Sequence, residues 1–171
     1  VREIQPDIIV NCIGVLVSES SKNLDLAKKV NQEFPHKLKN LCDQINTKII
    51  HMSTDCVFSG KKPTPYIETD EKDGMDNYAV TKADGEIISE NHLTIRTSVI
   101  GPELKKTGEQ LFNWFMNEKG EVNGYTDAIW SGITTLELGR VVIQLVKKDI
   151  RGLYHVTNGA PITKNELLHL F

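Results

Sequence analysis

Three short, largely apolar runs limit this chain more than any other feature of its sequence. Asp7–Gly14 (DIIVNCIG), a short run closed by glycine, reads as a buried parallel strand, with Lys48–Ser53 (KIIHMS) a second and Leu93–Ile100 (LTIRTSVI) a third. Between the first two, Leu24, Ala27, Val30, Phe34, Leu38 and Leu41 recur at spacings of three and four. That is the stripe of an amphipathic helix from Leu24 to about Gln44. Pro35 in its middle predicts a kink or a re-start. After the second run a polar loop extends from about Ser59 to Gly74 and contains Pro63 and Pro65. A helix then begins near Asp76 or Asn77, either of which can cap it. Strand, helix, strand, loop, helix, strand is the alternation that builds a parallel α/β sheet.

The tail differs. Helices are expected at about Gly108–Glu118, Thr134–Lys148 and Thr163–Phe171, with a short strand at Gly152–Val156. Thr134-x-x-Glu137 and Thr163-x-x-Glu166 have the form of capping boxes. Without repeats or a low-complexity linker, residues 106–171 read mostly as a small lobe interleaved with a sheet domain built from residues 1–105. The 171 residues have the size of one domain, able to bury roughly 70% of their unfolded surface without a disulfide or metal staple. Twenty basic against 23 acidic side chains give a net charge of −3, which argues against nucleic-acid and anionic-membrane partners. No apolar run approaches the ~20 residues of a membrane span and no signal-peptide pattern opens the sequence, so a cytoplasmic protein is the expectation. Cys12, Cys42 and Cys56 are odd in number and scattered, unlike a disulfide framework. The five histidines lack ligand spacing, so no metal site is expected; His51, inside a strand, reads as a hydrogen-bonded core residue. Cys12 and Cys56 read as small apolar fillers, and Trp114 with Leu111 and Phe115 as a packing face.

Candidate chemistry begins at Tyr78 and Lys82, four residues apart and so on one helical face. A lysine cation beside a phenol favours the phenolate, which would suit a general acid that protonates an alkoxide as hydride reaches a carbonyl carbon. An exposed helix pair is the plainer reading. Ser53, Thr54 and Asp55 follow the second strand at its carboxyl end, where ligands of open parallel sheets collect. Hydroxyls there can polarise a carbonyl, or merely close the strand in a hydroxyl-capped turn.

Taken together, these segments resemble the extended short-chain dehydrogenase/reductase superfamily, and within it the dTDP-4-dehydrorhamnose reductase group. His51–Gly60 (HMSTDCVFSG) is similar to that group's strand-end signature, and Tyr66-Ile-Glu68 with Asp70 to its acidic loop. Asn77–Glu86 (NYAVTKADGE) resembles its catalytic helix, Arg96–Ser98 the strand after it, and Asp7–Gly14 the strand beneath the cofactor. The resemblance implies a Rossmann-like, doubly wound parallel sheet with a C-terminal substrate lobe, and an NADP- or NAD-dependent oxidoreductase. It implies Tyr78 as proton donor, Lys82 as the residue that binds the nicotinamide ribose and lowers the Tyr78 pKa, and Thr54 as hydrogen-bond donor to the reacting carbonyl. Asn11, Cys12, Ile13 and Gly14 would line the cofactor, with Met52 and Ser53 beside its ribose and Thr97, Ser98 and Val99 near its carboxamide. Asp55, Cys56 and Trp130 would face the sugar nucleotide. The implied reaction reduces a keto group on a nucleotide-activated deoxysugar in polysaccharide precursor synthesis, by a protein that a homodimer would suit.

Departures narrow this. Cys56 stands where the reductases usually carry tyrosine, and Val99 where an aromatic is common. The superfamily's dehydratases have glutamate after the aspartate, so Cys56 counts against dehydration and leaves epimerisation as the alternative. A non-catalytic subunit of the same fold is the alternative of another class, and the joint presence of Thr54, Tyr78 and Lys82 counts against it. Asn123–Gly132 (NGYTDAIWSG) points to a subgroup making polysaccharide precursors. The superfamily's glycine-rich pyrophosphate turn is absent, so the expectation is a segment of a longer protein whose first strands lie elsewhere, inactive by itself. Asn31 follows Val30 as in many relatives, where it orders the active-site helix; a plain surface asparagine reads equally well.

Overall fold

The computed structural model describes residues 1, 3–104, 108 and 110–171. In chain order its strands are β1 (Ile8–Asn11), β2 (Lys48–Met52), β3 (Leu93–Arg96), β4 (Val99–Ile100), β5 (Ile129–Trp130), β6 (Ile133–Thr134), β7 (Gly152–His155) and β8 (Ile162–Thr163). Its α-helices are α1 (Val17–Lys22), α2 (Leu24–Ala27), α3 (Phe34–Gln44), α4 (Asn77–Asp84), α5 (Leu111–Asn117), α6 (Thr135–Lys147) and α7 (Lys164–Leu168). The chain forms two compact units, residues 1–97 with 150–155, and residues 98–149 with 156–171.

The first unit is built on a four-stranded sheet in the order β1-β2-β3-β7, every neighbouring pair parallel. Strands covered on both sides keep apolar residues on both faces, and Ile49, Ile50, Leu93 and Ile95 are fully buried. Leu38 and Cys42 of α3 pack on Ile49 and Ile87, with Phe34 and Ile9 at the margin. Each such aliphatic side chain contributes about 1.5–3 kcal/mol when removed from water.

The helical stripe after Leu24 is helical throughout, but it contains one wide turn. Asn23 caps it by accepting the Leu26 N–H at 3.0 Å. Lys28–Glu33 then forms a π-helical turn, with the Phe34 N–H reaching Lys29 O, directly before Pro35. Proline has no N–H for the carbonyl four residues back and crowds it. That carbonyl belongs to Asn31, and the widened turn faces Gly85, where a Cβ would stand 1.8 Å from Asn31 O. The predicted kink is therefore the place where this helix and α4 approach backbone to backbone.

The run Leu93–Ile100, expected as one strand, serves two sheets. β3 ends at Arg96, and beyond Thr97 the Ser98 carbonyl accepts the Ile133 N–H at 2.9 Å. Val99 and Ile100 then pair in parallel with Ile133 and Thr134. A two-residue strand leaves no periodicity to read, so β4, β5, β6 and β8 escape a pattern search. In the second unit β5 and β8 pair antiparallel, and Phe112 packs edge-on against Phe171, ring centroids 5.0 Å apart. Thr134 caps α6 by accepting the Glu137 N–H, and Thr163 with Glu166 forms the full reciprocal box at α7. Lys105, Lys106, Thr107 and Glu109, inside or beside the expected Gly108–Glu118 helix, lie outside the described residues; α5 covers its later part.

Candidate active site

β1, β2 and β3 run in one direction, so their carboxyl ends open on one edge of the sheet. There the first unit gathers Asn11 at the end of β1 with Cys12, Ile13 and Gly14 after it, Met52 at the end of β2 with Ser53 through Cys56 after it, and Thr97 after β3. Asp76 caps α4 by accepting the Ala79 N–H at 2.8 Å. That cap starts the helix so that Tyr78 and Lys82 share a face one turn apart.

Thr54 is 6% exposed, and its hydroxyl does two things at once. It accepts the Cys56 N–H at 3.1 Å and donates to Asp55 Oδ1 at 3.2 Å, closing the strand in a short 3-10 turn over Asp55–Val57. It also lies beside the Tyr78 phenol, whose pKa it tends to lower. The strand-closing reading of this residue is therefore observed.

Burial pushes the Tyr78 phenol up to about 12, and the neighbouring Cys56, Asp55 and Asp76 add to the rise. Lys82 moves the other way, down to about 8, because burial disfavours its charge; Glu86 and Cys12 resist. Its Nζ donates to Met52 O at 2.6 Å, and the residue is 5% exposed. Of its three N–H groups one is used, so the amine can bind a further pair of acceptors. The vicinal hydroxyls of a nucleoside ribose match that donor set, at the edge where the Ile13–Gly14 backbone is exposed. Desolvation raises the Cys12 and Cys56 thiols above their ordinary range, Asp55 adding to the rise at Cys56, so neither is an activated nucleophile.

Ser98, Val99 and Trp130 belong to the second unit. There the Trp130 indole Nε1 donates to Ser98 Oγ at 3.0 Å, and Val99 pairs with Ile133. Gly132 permits this packing, since a Cβ would lie 2.2 Å from Ser98 O and 2.5 Å from the indole.

Residues 1–169 match the family described as the RmlD substrate binding domain. The chain belongs to this family. Relatives agree with the RmlD assignment: the chain is 31% identical over 159 residues to the spore coat polysaccharide biosynthesis protein SpsK of Bacillus subtilis, covering 90% of this chain and 56% of that one. It is 29% identical over 178 residues to the dTDP-4-dehydrorhamnose reductase of Escherichia coli, covering 95% and 58%. The solved dTDP-4-dehydrorhamnose reductase of Bacillus anthracis, in complex with NADP, superposes with a TM-score of 0.85 at 25% identity, over 99% of this chain and 62% of that one. The chain thus spans somewhat over half the length of the curated relatives it matches. The Rossmann-type parallel sheet expected from the sequence is confirmed by these structures, and membership of the short-chain dehydrogenase/reductase superfamily with it.

Around the site, the RmlD chain carries polar supports that spacing alone did not single out. Asn31, 1% exposed, accepts the Val15 N–H at 2.8 Å and donates to Val15 O and Thr81 Oγ1. It ties the loop after β1 to α4, which excludes the surface reading. A polar residue on the apolar stripe, four before a proline, was its available signal. Glu86, whose side chain is fully buried, receives Arg96 Nε at 2.7 Å and Nη2 at 2.8 Å, Ser53 Oγ at 2.8 Å and Lys72 Nζ at 3.3 Å. Burial alone would raise its pKa, but these partners bring it below the ordinary carboxylate range. Arg96 also donates to Glu68 O, and Glu68 Oε1 accepts the His155 N–H, fastening the long loop to the sheet. Among the described residues no cluster of His, Cys, Asp or Glu is placed to hold a metal, and no helix is long and apolar enough to cross a membrane.

Proposed function

We propose that this chain forms the catalytic part of an NADPH- or NADH-dependent reductase acting on a keto group of a nucleotide-activated deoxysugar, in the synthesis of a polysaccharide precursor. The observation that carries the reading is the pairing of a phenol with a buried, under-used ammonium on one face of α4, at the carboxyl edge of a parallel sheet. The dinucleotide supplies the hydride. Lys82 binds its ribose hydroxyls through the N–H groups left over from Met52 O, and Asn11, Cys12, Ile13, Gly14, Met52 and Ser53 line it, with Thr97, Ser98 and Val99 toward the carboxamide. Thr54 turns its one O–H from Asp55 Oδ1 to the substrate carbonyl, and Asp55, Cys56 and Trp130 face the sugar nucleotide. At neutral pH the Tyr78 phenol is fully protonated. An alkoxide is a stronger base than a phenolate, so proton transfer from Tyr78 to the new alkoxide runs downhill even from this raised pKa, and the Thr54 hydroxyl favours the phenolate left behind. Cytoplasmic residence and a homodimer accompany the proposal for the whole protein.

The test uses the full-length protein with NADPH or NADH and a panel of 4-keto sugar nucleotides. Reduced sugar should form in step with loss of the cofactor absorbance. Tyr78→Phe should cost about 10²- to 10⁴-fold in turnover and leave cofactor affinity unchanged. Turnover without net cofactor consumption would make the enzyme an epimerase, absence of turnover with every substrate would favour a binding subunit, and full activity of Tyr78→Phe would remove the proton-donor role.

A further inference from the structure

Beneath the cofactor edge of the sheet lies a polar chain that no step of the proposed reaction uses. Asn11, the last residue of β1, is 3% exposed, and His51 beside it on β2 is fully buried. Asn11 Oδ1 accepts the Ile13 N–H at 3.2 Å, and Asn11 Nδ2 lies 3.0 Å from His51 Nδ1. Among the described residues, His51 Nε2 is buried with no hydrogen-bond partner.

The proton positions follow from one unambiguous donor. A backbone N–H can only donate, so the atom of Asn11 facing Ile13 must be its oxygen. The amide nitrogen then faces His51, and Nδ1 must be an acceptor. A neutral ring that accepts at Nδ1 carries its hydrogen on Nε2, on the side where nothing accepts it. A buried donor without a partner costs free energy, and each such case in a folded protein calls for a reason. An apolar side chain at position 51 would remove that cost and leave the Asn11 amide free to turn over, setting N–H against N–H at Ile13.

We propose that His51 is a positioning residue for the cofactor-facing turn: by accepting at Nδ1 it fixes the orientation of the Asn11 amide, and Asn11 in turn holds the Ile13 backbone where Ile13 and Gly14 meet the dinucleotide. The orphaned Nε2–H is the consequence of that assignment. Burial and the nearby Lys82 charge hold the ring's pKa down to about 3, so the acceptor persists throughout the pH range in which the protein is folded and working. The contact with the cofactor rests on the function proposed above; the control of Asn11 and Ile13 does not.

Two substitutions separate positioning from bulk. The oxygen of an asparagine at 51 falls near the place of Nδ1, whereas the amide of a glutamine falls near Nε2. In the full-length protein without cofactor, hydrogen exchange at the Ile13 amide should stay within about threefold of wild type in His51→Asn and quicken about tenfold in His51→Gln, the scale of one lost hydrogen bond. NADPH titration should show the same order, with the dissociation constant raised about tenfold only in His51→Gln and kcat within about twofold of wild type at saturation. The imidazole ¹⁵N shifts of wild-type His51 should report an unprotonated Nδ1, a readout that needs no variant to fold. A protonated Nδ1, or equal effects of both variants on Ile13 exchange, would overturn the proposal. If wild type fails to bind NADPH, the proposed function fails, while the exchange and ¹⁵N results still decide the role of His51.

Discussion

Replacing Gly85 by alanine tests how the active-site helix is held, because two effects of known sign compete there. Gly85 ends α4 with φ −85° and ψ −3°, a conformation open to any residue. If nothing stood in the way, alanine would stabilise the protein by about 0.4–1 kcal/mol by restricting the unfolded chain. The structure forbids it. A Cβ at 85 would lie 1.8 Å from Asn31 O, 2.8 Å from Asn31 C and 3.2 Å from Gln32 Cα, where ordinary contact begins at 3.4 Å. All three are main-chain atoms, so no rotamer change relieves the overlap, and α4 must move away from the π-helical turn by more than an ångström. Overpacking costs about 1–3 kcal/mol. The displacement also strains the bonds from Asn31 to Val15 and Thr81, each worth about 1 kcal/mol. Set against the small entropic gain, the expected net loss is about 3 kcal/mol, or a fall in Tm of about 6–12 °C for a chain this long.

Urea unfolding followed by circular dichroism measures the change. Gly139→Ala is the matched control. Gly139 lies inside α6 with nothing within 4 Å of the site of a Cβ, and alanine there should stabilise by about 0.5–1 kcal/mol. A Gly85→Ala midpoint equal to or above wild type, with m unchanged, would refute the close approach and the explanation it gives for the helix widening before Pro35.

Two further expectations concern charge. Because burial holds Lys82 at about 8 against its ordinary 10.5, this site binds fewer protons in the native than in the unfolded chain between those values, and it alone contributes a rise in stability with pH of about 3 kcal/mol across that window. The raised thiols of Cys12, Cys42 and Cys56 act in the opposite sense as the unfolded thiols ionise, so Lys82→Met is compared with wild type by urea unfolding from about pH 7.5 to 9.5 and should lower the slope relative to it; an equal slope in the two would show that Lys82 contributes none of it. Glu86→Gln leaves Arg96, 4% exposed, without its counter-charge, and should cost about 3–5 kcal/mol of unfolding free energy. A loss under about 1 kcal/mol would mean that water or Glu68 compensates the guanidinium.

The parts of the molecule legible in the sequence are those that short-range rules control. β2 and β3 are legible because strands covered on both faces bury apolar residues throughout, β1 from its apolar run although Val10 is exposed, and α4 because Asp76 supplies its cap. The site edge followed from direction alone, since parallel strands end together. What escaped depends on partners far apart in sequence. Asn31 has two readings in the sequence, an active-site support by resemblance or a surface asparagine, and only Val15 and Thr81 closing on it decide for the first; Glu86 is placed only when Arg96 and Ser53 close on it. Tyr78 and Lys82 show the limit most sharply. Their spacing places them on one face, and the expected consequence was a lysine that lowers the phenol's pKa. Spacing does not set where a four-carbon side chain sends its charge. The Lys82 ammonium goes to Met52 O at the end of β2, and the phenol is governed by burial and by the acidic groups near it. Its proton is held more tightly than helical geometry suggests. The proposed chemistry therefore requires a reacting oxygen basic enough to take that proton, and a nascent alkoxide is basic enough where a ground-state carbonyl is not.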